Sequence, residues 1–138
     1  MRKATVGLLM LLFSVAAFGQ PQWKVVKALT LADQIAPIPQ TALFTPTRAG
    51  VYRLSVYMSG GGGTPGADWD LSVGWTDFTG ASSDFNELQV FTGGANWTEH
   101  PPSMLSIANG TPLVYEVDAV GNTSGSDYNL VITIEQLE

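Results

Sequence analysis

The 138-residue chain contains no cysteine and a single histidine, His100. Without thiols there is no disulfide framework, no thiolate nucleophile and no lipobox residue to carry an N-terminal lipid. One histidine without cysteine also cannot build a His/Cys zinc site. Basic residues are scarce as well: six Lys and Arg stand against 12 Asp and Glu, a formal charge of −6. Such a chain is a poor partner for nucleic acid or for an anionic membrane surface. No apolar run reaches spanning length, since the longest, Val6 to Phe18, falls short of the ~20 residues of a transmembrane helix. No long stretch repeats its apolar residues at the helical period of 3.6, and no internal repeat occurs.

What the N-terminus does contain has the form of a signal peptide. Arg2 and Lys3 make a positive n-region, Val6 to Phe18 an apolar h-region, and Ala17 and Gly19 put small residues at −3 and −1 of a cleavage site. Residues 1–19 are therefore expected to be removed after Gly19, and an uncleaved N-terminal anchor is the competing reading. The remaining 119 residues, 20–138, suit a single domain. That portion keeps four basic residues, Lys24, Lys27, Arg48 and Arg53, against all 12 acids, a formal charge of −8. The expected location is secreted, periplasmic or cell-surface. Export without cysteine suits a bacterial protein stabilised by packing and backbone pairing.

The stretch from Leu43 to Ser59 organises the rest. A turn at Thr45-Pro46-Thr47 and Gly50 leads into a period-2 strand with Tyr52, Leu54, Val56 and Met58 on one face. Val51, Arg53, Ser55 and Tyr57 lie on the other. Before it, Trp23 to Leu31 reads as a strand, and the two prolines of Ala36-Pro37-Ile38-Pro39 restrict that segment to an edge or a crossing loop. After it, Gly60 to Gly66 reads as a loop. Asp68 to Thr76 is a strand with Trp69, Leu71, Val73 and Trp75 on one face, which reads as core, and Asp77 to Gly80 is a turn. Phe85 to Thr92 is a further candidate strand. Ser103 to Ala108 and Leu113 to Val120 flank Asn109-Gly110, the strongest short hairpin signal, so they are expected to pair. Tyr128, Leu130, Ile132 and Ile134 give the last strand its inward face. About seven or eight short strands with turns between them predict an all-β antiparallel β-sandwich of jelly-roll type.

The segment Phe44-Thr45-Pro46, followed by Ala49-Gly50-Val51-Tyr52-Arg53-Leu54-Ser55-Val56-Tyr57, resembles a strand of the domains typified by the globular head of complement C1q and by tumour necrosis factor. Leu105 to Tyr115 is similar to a later hairpin of the same family, with Thr111 where the family usually has Asp. Gly74-Trp75-Thr76-Asp77 and the Tyr52-Arg53-Leu54-Ser55-Val56-Tyr57 strand also resemble uncharacterised exported bacterial and phage-associated proteins. What these resemblances imply is a jelly roll, a homo-oligomer of trimer type, and no catalytic residues.

Enzymatic constellations find little support. His100 has no Gly-x-Ser-x-Gly partner motif, and Glu116-Val117-Asp118 begins like the Glu-x-Asp-x-x-Glu strand of jelly-roll glucanases, but position 121 is Gly. The chain is expected not to be an enzyme. No cofactor is expected; structural calcium is the one ion left open, with Asp68, Asp70, Asp77 and Asp84 as oxygen donors, and surface acidity explains the same residues. Trp97, in the polar company of Asn96, Thr98, Glu99 and His100, is a candidate for stacking on a sugar or filling a partner pocket; capping the core is its other reading. Val51 and Tyr57 make the second face of the organising strand more apolar than solvent requires and mark a candidate interface, unless Ala36 to Pro39 folds over it. Asn96, Asn109 and Asn122 open glycosylation-type sequons, which matter only in a eukaryotic secretory host. The function expected is a structural, adhesive or binding module with a glycan or protein partner. A carbohydrate-binding module is the alternative, and a small secreted hydrolase ranks below it.

Overall fold

The computed structural model describes residues 21–138, apart from the side chains of residues 85–88; the expected signal peptide, residues 1–19, lies outside the described residues. Eight strands follow one another: β1 (Trp23–Gln34), β2 (Ile38–Phe44), β3 (Gly50–Gly62), β4 (Asp68–Thr76), β5 (Ser82–Phe91), β6 (Asn96–Ile107), β7 (Leu113–Val120) and β8 (Ser126–Leu137). They form two four-stranded antiparallel sheets, in the orders β1-β8-β3-β6 and β2-β7-β4-β5. The pairs β1·β8, β2·β7, β3·β6 and β4·β5 are those of one long hairpin wrapped into two layers. That strand order is a jelly roll, as the sequence pattern predicts.

The alternation in the sequence decides which side of each strand is dry. On β3, Tyr52, Leu54, Val56 and Met58 are at most 4% exposed, and Trp69, Leu71 and Val73 of β4 face them from the other sheet. Leu113, Tyr115 and Val117 of β7 and Tyr128, Leu130, Ile132 and Ile134 of β8 complete the centre of the core. Each such aliphatic or aromatic side chain contributes about 1.5–3 kcal/mol by leaving water. The polar tips of the buried aromatics tie the loops to this core. Tyr52 donates to Arg48 O at 2.9 Å, Tyr128 to Ala36 O at 3.0 Å, and Trp69 Nε1 to Ser126 Oγ at 3.0 Å. Trp69 and Tyr128 also pack ring against ring, centroids 4.8 Å apart. Burial pushes the Tyr128 hydroxyl up to about 12.

Two expectations fail, each for a definable reason. Asn109-Gly110 does not close a hairpin, because β6 pairs with β3 and β7 with β4 and β2. The turn instead carries the chain from one sheet to the other, held by Gly110 N donating to Pro46 O at 2.8 Å and Ala108 N to Thr76 O at 2.9 Å. Gly60 to Gly66 is not all loop: β3 runs on to Gly62, pairing Gly60 with both Asn96 and Tyr128. A side chain is excluded at Gly60, where a Cβ would lie 2.5 Å from Val90 Cγ1 and 2.8 Å from Asp127 O. The proline segment behaves as expected, since Pro39 lies in β2, an edge strand.

β6 is the strand that shapes the outer surface. Its register against β3 is regular from Gly50↔Ile107 to Leu54↔Ser103 and resumes at Val56↔His100. Pro101 and Pro102 fill the interruption as a bulge opposite Ser55. His100 Nδ1 and Ser103 Oγ lie 3.2 Å apart across it.

Candidate functional site

The two outer faces of the sandwich differ in chemistry. Outside the sheet β2-β7-β4-β5, Asp68 and Asp70 alternate with buried Trp69 and Leu71, and the register sets Asp70 opposite Asp118 and Ser72 opposite Glu116. Burial and then the charge of Asp68, with a smaller contribution from Asp118, raise the Asp70 carboxyl above its usual range, while the Gln89 amide works against them. Glu116 is raised by sharing a hydrogen bond with Asp118 and by its charge. Asp68 Oδ1 and Asp70 Oδ1 are shielded and find no hydrogen-bond donor among the described residues. No three Asp, Glu or His side chains among the described residues converge as metal ligands. Of the calcium candidates, Asp77 is engaged elsewhere: its Oδ1 accepts from Thr79 N, Thr79 Oγ1 and Ala81 N and closes the β4–β5 hairpin. Those bonds hold its carboxyl below the usual range.

The outer face of the sheet β1-β8-β3-β6 carries several exposed apolar side chains among polar ones such as Ser55, Glu99 and Thr133. Val51 and Tyr57, the predicted interface residues, stand on it 41% and 40% exposed, and Met104 and Trp97 of β6 are 60% and 63% exposed. Val25 of β1 is open beside them. At the centre Arg53 Nε donates to Glu135 Oε2 at 2.6 Å, which holds the Glu135 carboxyl below its usual range, and the guanidinium lies 4.8 Å from the centroid of the Trp23 ring. Arg53 is the one Lys or Arg on β3, β6 and β8. The segment Ala36 to Pro39 does not cover this face, because it leads into β2 of the opposite sheet.

Tyr57 and Trp97 meet. Tyr57 sits opposite Glu99 and Ser59 opposite Trp97, so the two rings are diagonal neighbours on adjacent strands. They stack at 20° with centroids 6.3 Å apart. Trp97 therefore does not cap the core; it projects to solvent. Beside the pair runs an open cleft of about 350 Å³, bounded by Ser55 and Tyr57 of β3, Glu99 to Pro102 of β6, and Val131 and Thr133 of β8. Val51 lies at the other end of β3, about 20 Å from Tyr57 at ~3.3 Å per residue. The sequence singled out Val51, Tyr57 and Trp97 but not Met104, Glu99 or the proline bulge. Two adjacent prolines inside a strand were the available signal for the bulge.

No family model and no curated protein matches the chain. Solved structures similar to it in shape include the VP2 subviral particle of infectious bursal disease virus, with a TM-score of 0.46 and 10% identity over 86% of this chain and 33% of that one. The chain thus spans about a third of the length of that protein. A second is a xylan-binding domain from CBM 22, with a TM-score of 0.41 and 16% identity over 89% of this chain and 90% of that one. The jelly-roll assignment rests on the strand order, not on these similarities.

Proposed function

We propose that this is an exported, non-enzymatic structural, adhesive or binding module that works through the outer face of the sheet β1-β8-β3-β6. In this reading residues 1–19 are cleaved after Gly19, and residues 20–138 act as one domain in the periplasm, at the cell surface or outside the cell. The observation that carries it is the asymmetry of the two outer faces. One bears Asp68, Asp70, Glu116 and Asp118, with exposed Phe91 and Val120 flanking Asp68 at one end, and the other bears exposed Val51, Tyr57, Trp97 and Met104 around an ion pair that neutralises itself. Copies of a chain with a formal charge of −8 repel one another through acidic surface. They approach at least cost through the part of this face around the paired Arg53 and Glu135, away from Glu99 beside Tyr57, and apolar area of this kind is the usual material of a partner surface.

The assembly that fits is a closed homo-oligomer, a trimer in the manner of the C1q and tumour necrosis factor domains, with Val51 and Met104 inside the contact and Tyr57 at its margin. Light scattering on the purified protein across a micromolar dilution series tests it. The expected result is a mass above the monomer that Val51→Glu and Tyr57→Glu each reduce while the far-ultraviolet spectrum is kept. A monomer at every concentration would overturn the assembly. Carbohydrate binding is the second reading, favoured by the exposed Tyr57–Trp97 stack.

A further inference from the structure

We propose that the Trp97 end of this face is a binding site for a neutral pyranose chain. The proposal rests on the reading of the β1-β8-β3-β6 face as the working surface, and it assigns a ligand class to one end of it. A sugar ring has an apolar C–H face and an equatorial rim of hydroxyls, so its site needs a fixed aromatic plane next to hydrogen-bonding groups. Trp97 supplies the plane. Its indole is 63% exposed, and Tyr57 stacks against it with 20° between the rings. An indole braced in this way loses less conformational freedom when a ligand covers it than a freely rotating one does.

The hydrogen-bonding groups stand in the adjoining cleft. Its volume of about 350 Å³ falls within the ~300–1,000 Å³ of small-molecule sites, and it is open to solvent, as a chain ligand requires. Register places Glu99 opposite Tyr57 and Thr133 opposite Ser55. The Glu99 carboxylate, the His100 imidazole and the hydroxyls of Ser55, Tyr57 and Thr133 thus line the cleft, beside the apolar Val131 and the Pro101–Pro102 bulge. The ligand's charge follows from what surrounds it. Arg53 is engaged by Glu135 at 2.6 Å, and β3, β6 and β8 offer no other Lys or Arg for a uronate, sulfate or phosphate. Glu99 and the net negative charge of the domain repel such groups. A neutral sugar chain satisfies both the ring and the cleft; an anionic one does not.

The test is affinity electrophoresis of the purified protein in gels containing xylan, mixed-linkage β-glucan or glucomannan, with polygalacturonate as the anionic control. Calorimetry with the matching hexasaccharide follows. Retardation by at least one neutral polysaccharide is expected. Trp97→Ala should weaken the hexasaccharide by about tenfold or more, which corresponds to roughly 1.4 kcal/mol, while Asp118→Asn on the opposite face leaves it unchanged. Light scattering on the same samples keeps the two readings apart. Lost binding with an unchanged mass in Trp97→Ala supports the sugar site. An oligomer that no neutral polysaccharide retards overturns the sugar site and leaves the assembly standing. Binding undiminished by Trp97→Ala, or retardation by polygalacturonate alone, overturns the proposal as well.

Discussion

Leu54 has no exposed surface and sits at the middle of β3, between Ile134 of β8 and Ser103 of β6. Truncating it leaves a cavity that β-sheet neighbours cannot close, so Leu54→Ala is expected to cost about 2–5 kcal/mol. Denaturant melts measure this directly. A loss below about 0.5 kcal/mol would mean that the side chain is not enclosed as described. The inward faces of β3, β4 and β8 are legible in the sequence because nothing interrupts their period of two. Trp97 is the instructive exception. It has the same odd parity as Ser103, Leu105 and Ile107, and an unbroken strand would turn it into the core with them. The bulge at Pro101 and Pro102 reverses the parity, so that His100 and Thr98 pair opposite the buried Val56 and Met58 and Trp97 faces solvent. One extra residue in a strand therefore decides whether this tryptophan is core or surface. The stack with Tyr57 depends on the same shift and is invisible until the register of β6 on β3 is known.

At the scale of elements, strands were readable wherever one face is apolar, and connections were not. Asn109-Gly110 has the composition of a hairpin turn yet serves as a corner between sheets. Turn chemistry fixes the local bend but not which strand accepts the next ladder; that depends on where the apolar faces of β6 and β7 find cover. Glycine was similarly ambiguous. Gly60 belongs to a run that reads as loop, but its role is steric: it lets Val90 of β5 press onto the end of β3 and closes that side of the sandwich. Gly60→Ala should therefore overpack this contact and destabilise by about 1–3 kcal/mol. Gly94→Ala, where a Cβ meets nothing within 4 Å, should be close to neutral. Thermal melts of the two variants side by side check the assignment, and equal melting temperatures would refute the close approach.

For the whole molecule, four shifted carboxyls set how stability responds to pH. Asp70 and Glu116 have carboxyls raised above their ordinary values, the first by burial and the charge of Asp68, the second by Asp118. A raised carboxyl binds its proton more tightly in the folded chain than in the unfolded one. Stability therefore falls as pH rises through the window between the unfolded value and the folded one, and the penalty is complete above it. Asp77 and Glu135 act in the opposite sense. Their carboxyls are lowered by Thr79 and by Arg53 respectively, so the stability they contribute is present above the unfolded value and is lost as pH falls through the folded one. Descending from pH 7, the molecule first gains from relief of the crowded acidic face and then loses the Asp77 loop and the Arg53–Glu135 pair. The maximum should lie below neutrality, where the raised carboxyls have begun to take up their protons and the lowered ones have not. Melting temperatures measured in low salt from pH 3 to pH 8 test this, together with Asp70→Asn, which should raise the melting temperature at pH 7 and lose its advantage as the wild-type carboxyl takes up its proton. A wild-type melting temperature that declines steadily from pH 7 to pH 5 would show that the acidic face imposes no such penalty.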